Sequence, residues 1–146
     1  MTQKANEVAK TTNAAVARPA VPLVDEVLAK VNQFVDAGDL VLPKDYNPGN
    51  ALRSAWLVLQ DMQVSGKPVL ECCTKASIAN ALLSVVTQGM NVTKKQIYFI
   101  PYGDKLQAQR SYFGDMLIAK RDAGVKEIHA EVLYEGDVET FKYEVD

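Results

Sequence analysis

Histidine is almost missing from this chain: His129 stands alone among 146 residues. One histidine cannot supply a metal-binding cluster, and no partner for nucleophilic catalysis accompanies it. Cysteine is nearly as scarce, and Cys72 and Cys73 are adjacent. They cannot build a disulfide framework, they lack the two-residue gap of a zinc knuckle or redox motif, and they suit a reducing compartment. Eight glycines and six prolines are too few for a fibrous or low-complexity chain. No apolar run approaches the ~20 residues that cross a bilayer, and the amino end carries no secretion-type apolar run with a small-residue cleavage site. The expected location is the cytoplasm, away from membranes. Phosphate-cradling loops are missing too: Gly66-Lys67 runs into Pro68, and no Gly-x-Gly-x-x-Gly follows a strand pattern. Asp45, Asp61 and Glu71 match no ligand spacing. These absences predict no metal, no cofactor and no enzyme. A small hydrolase has no nucleophile–base pair to stand on.

Charge is scarce only on average. The net charge is −2, which argues against a generally basic nucleic-acid binder. Residues 1–93 are balanced, with eight basic and eight acidic groups. Residues 94–126 carry seven basic and three acidic groups, net +4, and residues 127–146 carry one and seven, net −6. A basic block between neutral and acidic ones makes a local positive face.

The length suits one domain with a real core. Residues 1–20 have no apolar period and read as a mobile tail ahead of a domain spanning 21–146. From Leu23 to Val35 the apolar spacing is helical, and Gly38 closes the segment. Leu40-Val41-Leu42-Pro43 is a connector expected to tuck its apolar side chains inward. A second helix starts near Asn47 with Pro48 where a missing N–H does no harm, and its face is Leu52, Ala55, Trp56, Leu59 and Met62. A third, mostly buried, runs from its cap Thr74 to Gly89. The rhythm then turns to period two: Gln96–Tyr102 and Leu106–Tyr112 flank Gly103-Asp104-Lys105 as a β-hairpin. A short helix, Gly114–Ala123, turns Met116, Leu117 and Ile118 inward. Alternating runs at Ile128–Tyr134 and Phe141–Val145 flank a turn at Gly136-Asp137. The expected fold class is α+β: amino-terminal helices, then a ββαββ antiparallel unit. Because the pattern stops inside a strand with an uncovered edge, the sequence reads as the amino-terminal part of something longer.

The chemistry that remains lies between Lys94 and Lys126. Lys94 and Lys95 enter the hairpin and Lys105 sits at its tip. Tyr98, Phe99, Tyr102, Tyr112 and Phe113 alternate with Gln96, Gln107 and Gln109. Cations neutralise phosphates, rings stack on bases and amides bond backbone oxygens, the ingredients of a sequence-tolerant single-strand groove. On the second strand, Leu106, Ala108, Arg110 and Tyr112 share one face and Gln107, Gln109 and Ser111 the other. A solvated, charged hairpin with an aromatic core face has the same composition, and the residue types do not separate the two.

The stretches Thr74-Lys-Ala-Ser-Ile-Ala-Asn-Ala-Leu-Leu, Gln88-Gly-Met-Asn, Lys94-Lys-Gln-Ile-Tyr-Phe-Ile-Pro-Tyr-Gly, Gln109-Arg-Ser-Tyr-Phe-Gly and Tyr134-Glu-Gly-Asp together resemble the RecT family of phage and prophage recombinases. Leu42-Pro43-Lys44 before a helix fits the same layout, and the likeness runs from about residue 22 to the end. The resemblance implies an ATP-independent protein that binds single-stranded DNA, forms homo-oligomeric rings or helical filaments, and anneals complementary strands into duplex beside a partner exonuclease. It places the DNA groove on Lys94, Lys95, Lys105, Gln107, Gln109, Arg110 and Tyr112, with Lys120 and Arg121 on the following helix. Phe113 stands where family members often have a basic residue. Members also run longer, with a later basic helix beside the DNA. The alternative, from a different class, is a docking domain of a recombination complex with no DNA affinity of its own.

Overall fold

The structure is a computed structural model that describes residues 22–130, 132 and 134–137. The tail at 1–20 and the alternating run at 141–145 lie outside the described residues.

Three helices form one side of the core. α1 (Pro22–Ala37) buries Leu23, Val24, Val27 and Val31 along a single stripe, the i, i+4, i+8 spacing that one helix face requires. Its carbonyls are closed off by the turn at Gly38, where the Asp39 N–H donates to Phe34 O at 2.9 Å. Leu40 and Leu42 of the connector pack on the core, whereas Val41 points to solvent, 87% exposed. α2 (Pro48–Asp61) starts as expected: Asn47 Oδ1 accepts from the Asn50 N–H at 2.9 Å, and Pro48 occupies the first turn. It buries Ala51, Leu52, Ala55 and Leu59, with Trp56 and Met62 packed at the margin.

A small unit not foreseen in the sequence comes next. β1 (Gln63–Val64) pairs antiparallel with β2 (Lys67–Pro68) across Ser65-Gly66, and a single helical turn, α3 (Val69–Cys72), follows. Cys73 is buried and its thiol is pushed above the ordinary range by that burial, so it is a packing group. α4 (Lys75–Thr87) is capped by Thr74, whose Oγ1 accepts from the Ser77 N–H. Ile78, Ala81, Leu82, Val85 and Val86 put it at the centre of the core.

β3 (Ile97–Tyr102) and β4 (Lys105–Arg110) form an antiparallel hairpin. The turn is Gly103-Asp104, with Gly103 at φ +62°, and Lys105 already pairs with Tyr102. A two-residue turn that matches the strand twist needs positive φ, which glycine supplies without a steric cost. The inner side, Ile97, Phe99 and Leu106 with Ala108, closes the core over α4. The tip is tied down at α4: the Thr74 N–H donates to Asp104 O at 2.9 Å, and the Leu106 N–H donates to Ser77 Oγ at 3.1 Å.

β4 ends sooner than its alternation suggests. Ser111 is buried, donates its hydroxyl to Lys95 O, and accepts from the Gly114 N–H at 3.3 Å, capping α5 (Tyr112–Asp122). Tyr112 therefore opens a helix and does not continue the strand. Gly114 is buried on the far side of that cap, where a Cβ would lie 2.2 Å from Gln96 O. Only Gly114 of α5 is fully buried; Met116, Leu117 and Ile118 are half-buried.

The α+β class holds: helices come first, then two small antiparallel sheets. The expected strand at Ile128–Tyr134 is not present in the described residues of that run. Its described residues have no regular structure and lie exposed, and Glu135–Asp137 is a short 3-10 turn where the sequence suggested a simple turn. Alternation alone makes no strand, because each strand needs a ladder partner for its amides. His129 is exposed and outside any strand, with Nε2 2.9 Å from Glu127 Oε2.

Candidate nucleic-acid interface

Antiparallel pairing puts directly opposed residues on the same side of a sheet. The register pairs Tyr98 with Gln109, Ile100 with Gln107 and Tyr102 with Lys105, so these six share the outer side of the hairpin. Burial agrees: Tyr98, Tyr102, Lys105, Gln107 and Gln109 are exposed, while their neighbours Ile97, Phe99 and Leu106 are buried. The outer side thus holds two phenol rings, two amides and an ammonium. Gln109 Nε2 donates to the Tyr102 hydroxyl at 2.9 Å, which orients one ring against the sheet.

The other expected residues group around this face or away from it. Lys94 and Lys95 sit in the turn that leads into β3, at the opposite end from Lys105. Lys95 takes a positive φ of 56°, an uncommon conformation for a residue with a side chain. Its N–H donates to Val92 O at 2.9 Å, and its carbonyl accepts from the Ser111 hydroxyl. Arg110 lies on the Leu106–Ala108 side of the pleat and its Nε is 3.3 Å from Asp115 Oδ1. Tyr112, 65% exposed, stacks on Phe113 with ring centroids 4.0 Å apart at the start of α5. Lys120 and Arg121 end that helix, with Arg121 held by Asp122 at 2.7 Å. Among the described residues, Lys94, Lys95, Lys105 and Lys120 form no ion pair, whereas both arginines do.

The nine candidates fall in groups that meet at the base of the hairpin. Lys105, Gln107 and Gln109 share its outer side. Arg110 and Tyr112 end β4 and open α5 next to Lys95, and Lys94 shares a cleft with Arg121, which follows Lys120 in the last turn of α5. Tyr98 and Tyr102 belong to the outer face, and the β3–β4 register puts them there. That register was the available signal: Tyr98, Ile100 and Tyr102 alternate in step with Lys105, Gln107 and Gln109.

The RecT family model matches residues 49–146. The chain belongs to the RecT family. That family comprises phage-type single-strand annealing proteins of homologous recombination, which handle DNA without being known as catalysts. No curated protein and no solved structure matches the chain. Within the RecT match fall α2 after Pro48, the β1–β2 pair with α3, α4, the hairpin and α5. No helix among the described residues is long and apolar enough to cross a membrane.

Proposed function

We propose that this RecT protein binds single-stranded DNA along the outer side of the β3–β4 hairpin and anneals it to a complementary strand without ATP. One observation carries the reading: two exposed tyrosines, two glutamines and a lysine share one side of the sheet, with two further lysines at its base. Rings on that side stack on bases of any sequence, amides bond sugar and phosphate oxygens, and ammonium groups neutralise the backbone. A strand gripped in this way keeps its pairing edges available. A second strand then tests register by Watson–Crick pairing, so the protein needs no base-specific contacts.

In this reading copies of the chain assemble head to tail into a ring or helical filament, joining their faces into one track. An exonuclease partner would expose the strand in the cytoplasm. Anisotropy of a labelled oligonucleotide, single-stranded against duplex, from about 50 to about 300 mM salt, tests the reading. Tight single-strand binding that falls steeply with salt is expected. Absence of binding at the lowest salt contradicts it and favours a docking domain.

A further inference from the structure

A cleft of about 550 Å³ opens at the base of the hairpin, away from Gly103-Asp104. Three segments distant in sequence wall it: the connector and first turn of α2, the turn before β3, and the last turns of α5. Lys44, Lys94 and Arg121 line it against a single carboxylate, Asp45. A neighbouring depression of about 400 Å³ shares Lys44 and Arg121 and extends to Asp122.

The three cations are not equivalent. Arg121 is committed to the wall: Nε and Nη2 lie 2.7 and 3.0 Å from the Asp122 carboxylate, and Nη1 donates to Gln88 O at 3.2 Å. Lys44 and Lys94 are exposed and form no ion pair among the described residues. Two unpaired ammonium groups on one cleft, opposed by one carboxylate, make its potential positive and favour an anion there. The amino end of α2 lines the same space through Asn47, Asn50 and Ala51, and its partial positive charge adds to that of the side chains. The connector wall is fixed in place. Tyr46 donates its hydroxyl to Met90 O at 2.9 Å, and burial raises its pKa far above the ordinary phenol value, so it remains a donor.

We infer that this cleft binds phosphate groups of the single strand as it runs off the base of the hairpin, with Lys44 and Lys94 as the contact groups. The inference rests on the single-strand reading above. One six-residue strand, about 20 Å long, separates Lys105 at the tip from the cleft. That distance spans about six phosphates at duplex spacing, so one oligonucleotide along the hairpin reaches both. Lys44 lies outside the matched family region and beyond the basic block, and the Leu42-Pro43-Lys44 layout gave it no role in binding.

The test uses the full chain and its Lys44→Gln and Lys94→Gln variants, with a labelled thymidine oligonucleotide of about 20 residues and, separately, inorganic phosphate. Lys44→Gln should weaken oligonucleotide binding about three- to tenfold at low salt and lower the log–log salt slope by about 0.7. The Lys94→Gln change should add to it. If the parent chain binds the oligonucleotide and Lys44→Gln matches it in affinity and slope, the cleft assignment is wrong and the hairpin reading stands. If the parent chain does not bind, the single-strand reading fails and takes the inference with it. If inorganic phosphate shifts the Asn47 and Asn50 amide resonances while Lys44→Gln leaves oligonucleotide binding intact, the cleft takes a free anion and the strand assignment is overturned.

Discussion

Gly114 is the residue on which the end of the hairpin turns. A methyl group there would meet the Gln96 carbonyl at 2.2 Å, and the obstacle is backbone that cannot swing away. Gly114→Ala is therefore expected to lower stability by about 1–3 kcal/mol through local overpacking, despite alanine's better helix propensity. Thermal unfolding by circular dichroism measures it, and an unchanged midpoint would contradict the close packing. A second residue-scale prediction concerns the end of α5. The Arg121 side-chain hydrogen bond holds the Asp122 carboxyl below the usual aspartate range, outweighing an opposing desolvation. A depressed carboxylate stabilises the fold above its unfolded pKa, and that stabilisation fades as pH falls through the folded one. Carboxyl-carbon NMR should find Asp122 titrating low in the parent chain and returning to the ordinary range in Arg121→Gln.

At the scale of elements, the cations of the hairpin divide by partner. Lys105 is unpaired among the described residues, whereas Arg110 is 3.3 Å from Asp115 with both side chains about half exposed or more. Such an exposed pair contributes little to stability, yet it competes with a phosphate for the guanidinium. Lys105→Ala is therefore expected to weaken single-strand binding and flatten its salt dependence more than Arg110→Ala does. Oligonucleotide titrations of the two variants at several salt concentrations decide this, and the reverse ranking would move the strand toward α5. The elements themselves were largely legible. Pro48 after Asn47, Thr74 before α4 and glycine at the hairpin tip are local signals with local causes, and the structure uses each of them. The errors share one cause. Ser111 reads equally well as a strand residue or a helix cap, and only its contacts with Lys95 O and the Gly114 N–H decide between them. Residues 128–134 alternate as a strand should, but their described residues make no ladder with any described strand.

For the molecule as a whole, the core and the candidate interface are two sides of one hairpin. Ile97, Phe99 and Leu106 join a core built on Leu52, Leu59 and Leu82, while Tyr98, Tyr102 and Gln109 face outward in the same strands. The alternation that made the hairpin readable also carried its outer face, but which aromatics stand beside Lys105, Gln107 and Gln109 depends on register. Register is set by the two-residue turn at Gly103-Asp104. Placing Lys105 in the turn and not in the strand hides that pairing. The central claim, a single strand lying on that face, is tested most directly by photocrosslinking an oligothymidine carrying iodouracil and locating the adducts by mass spectrometry. Adducts at Tyr98 and Tyr102 are the predicted result. Adducts confined to Tyr112, Phe113 or the residues beyond α5, with Tyr98 and Tyr102 untouched, would contradict it.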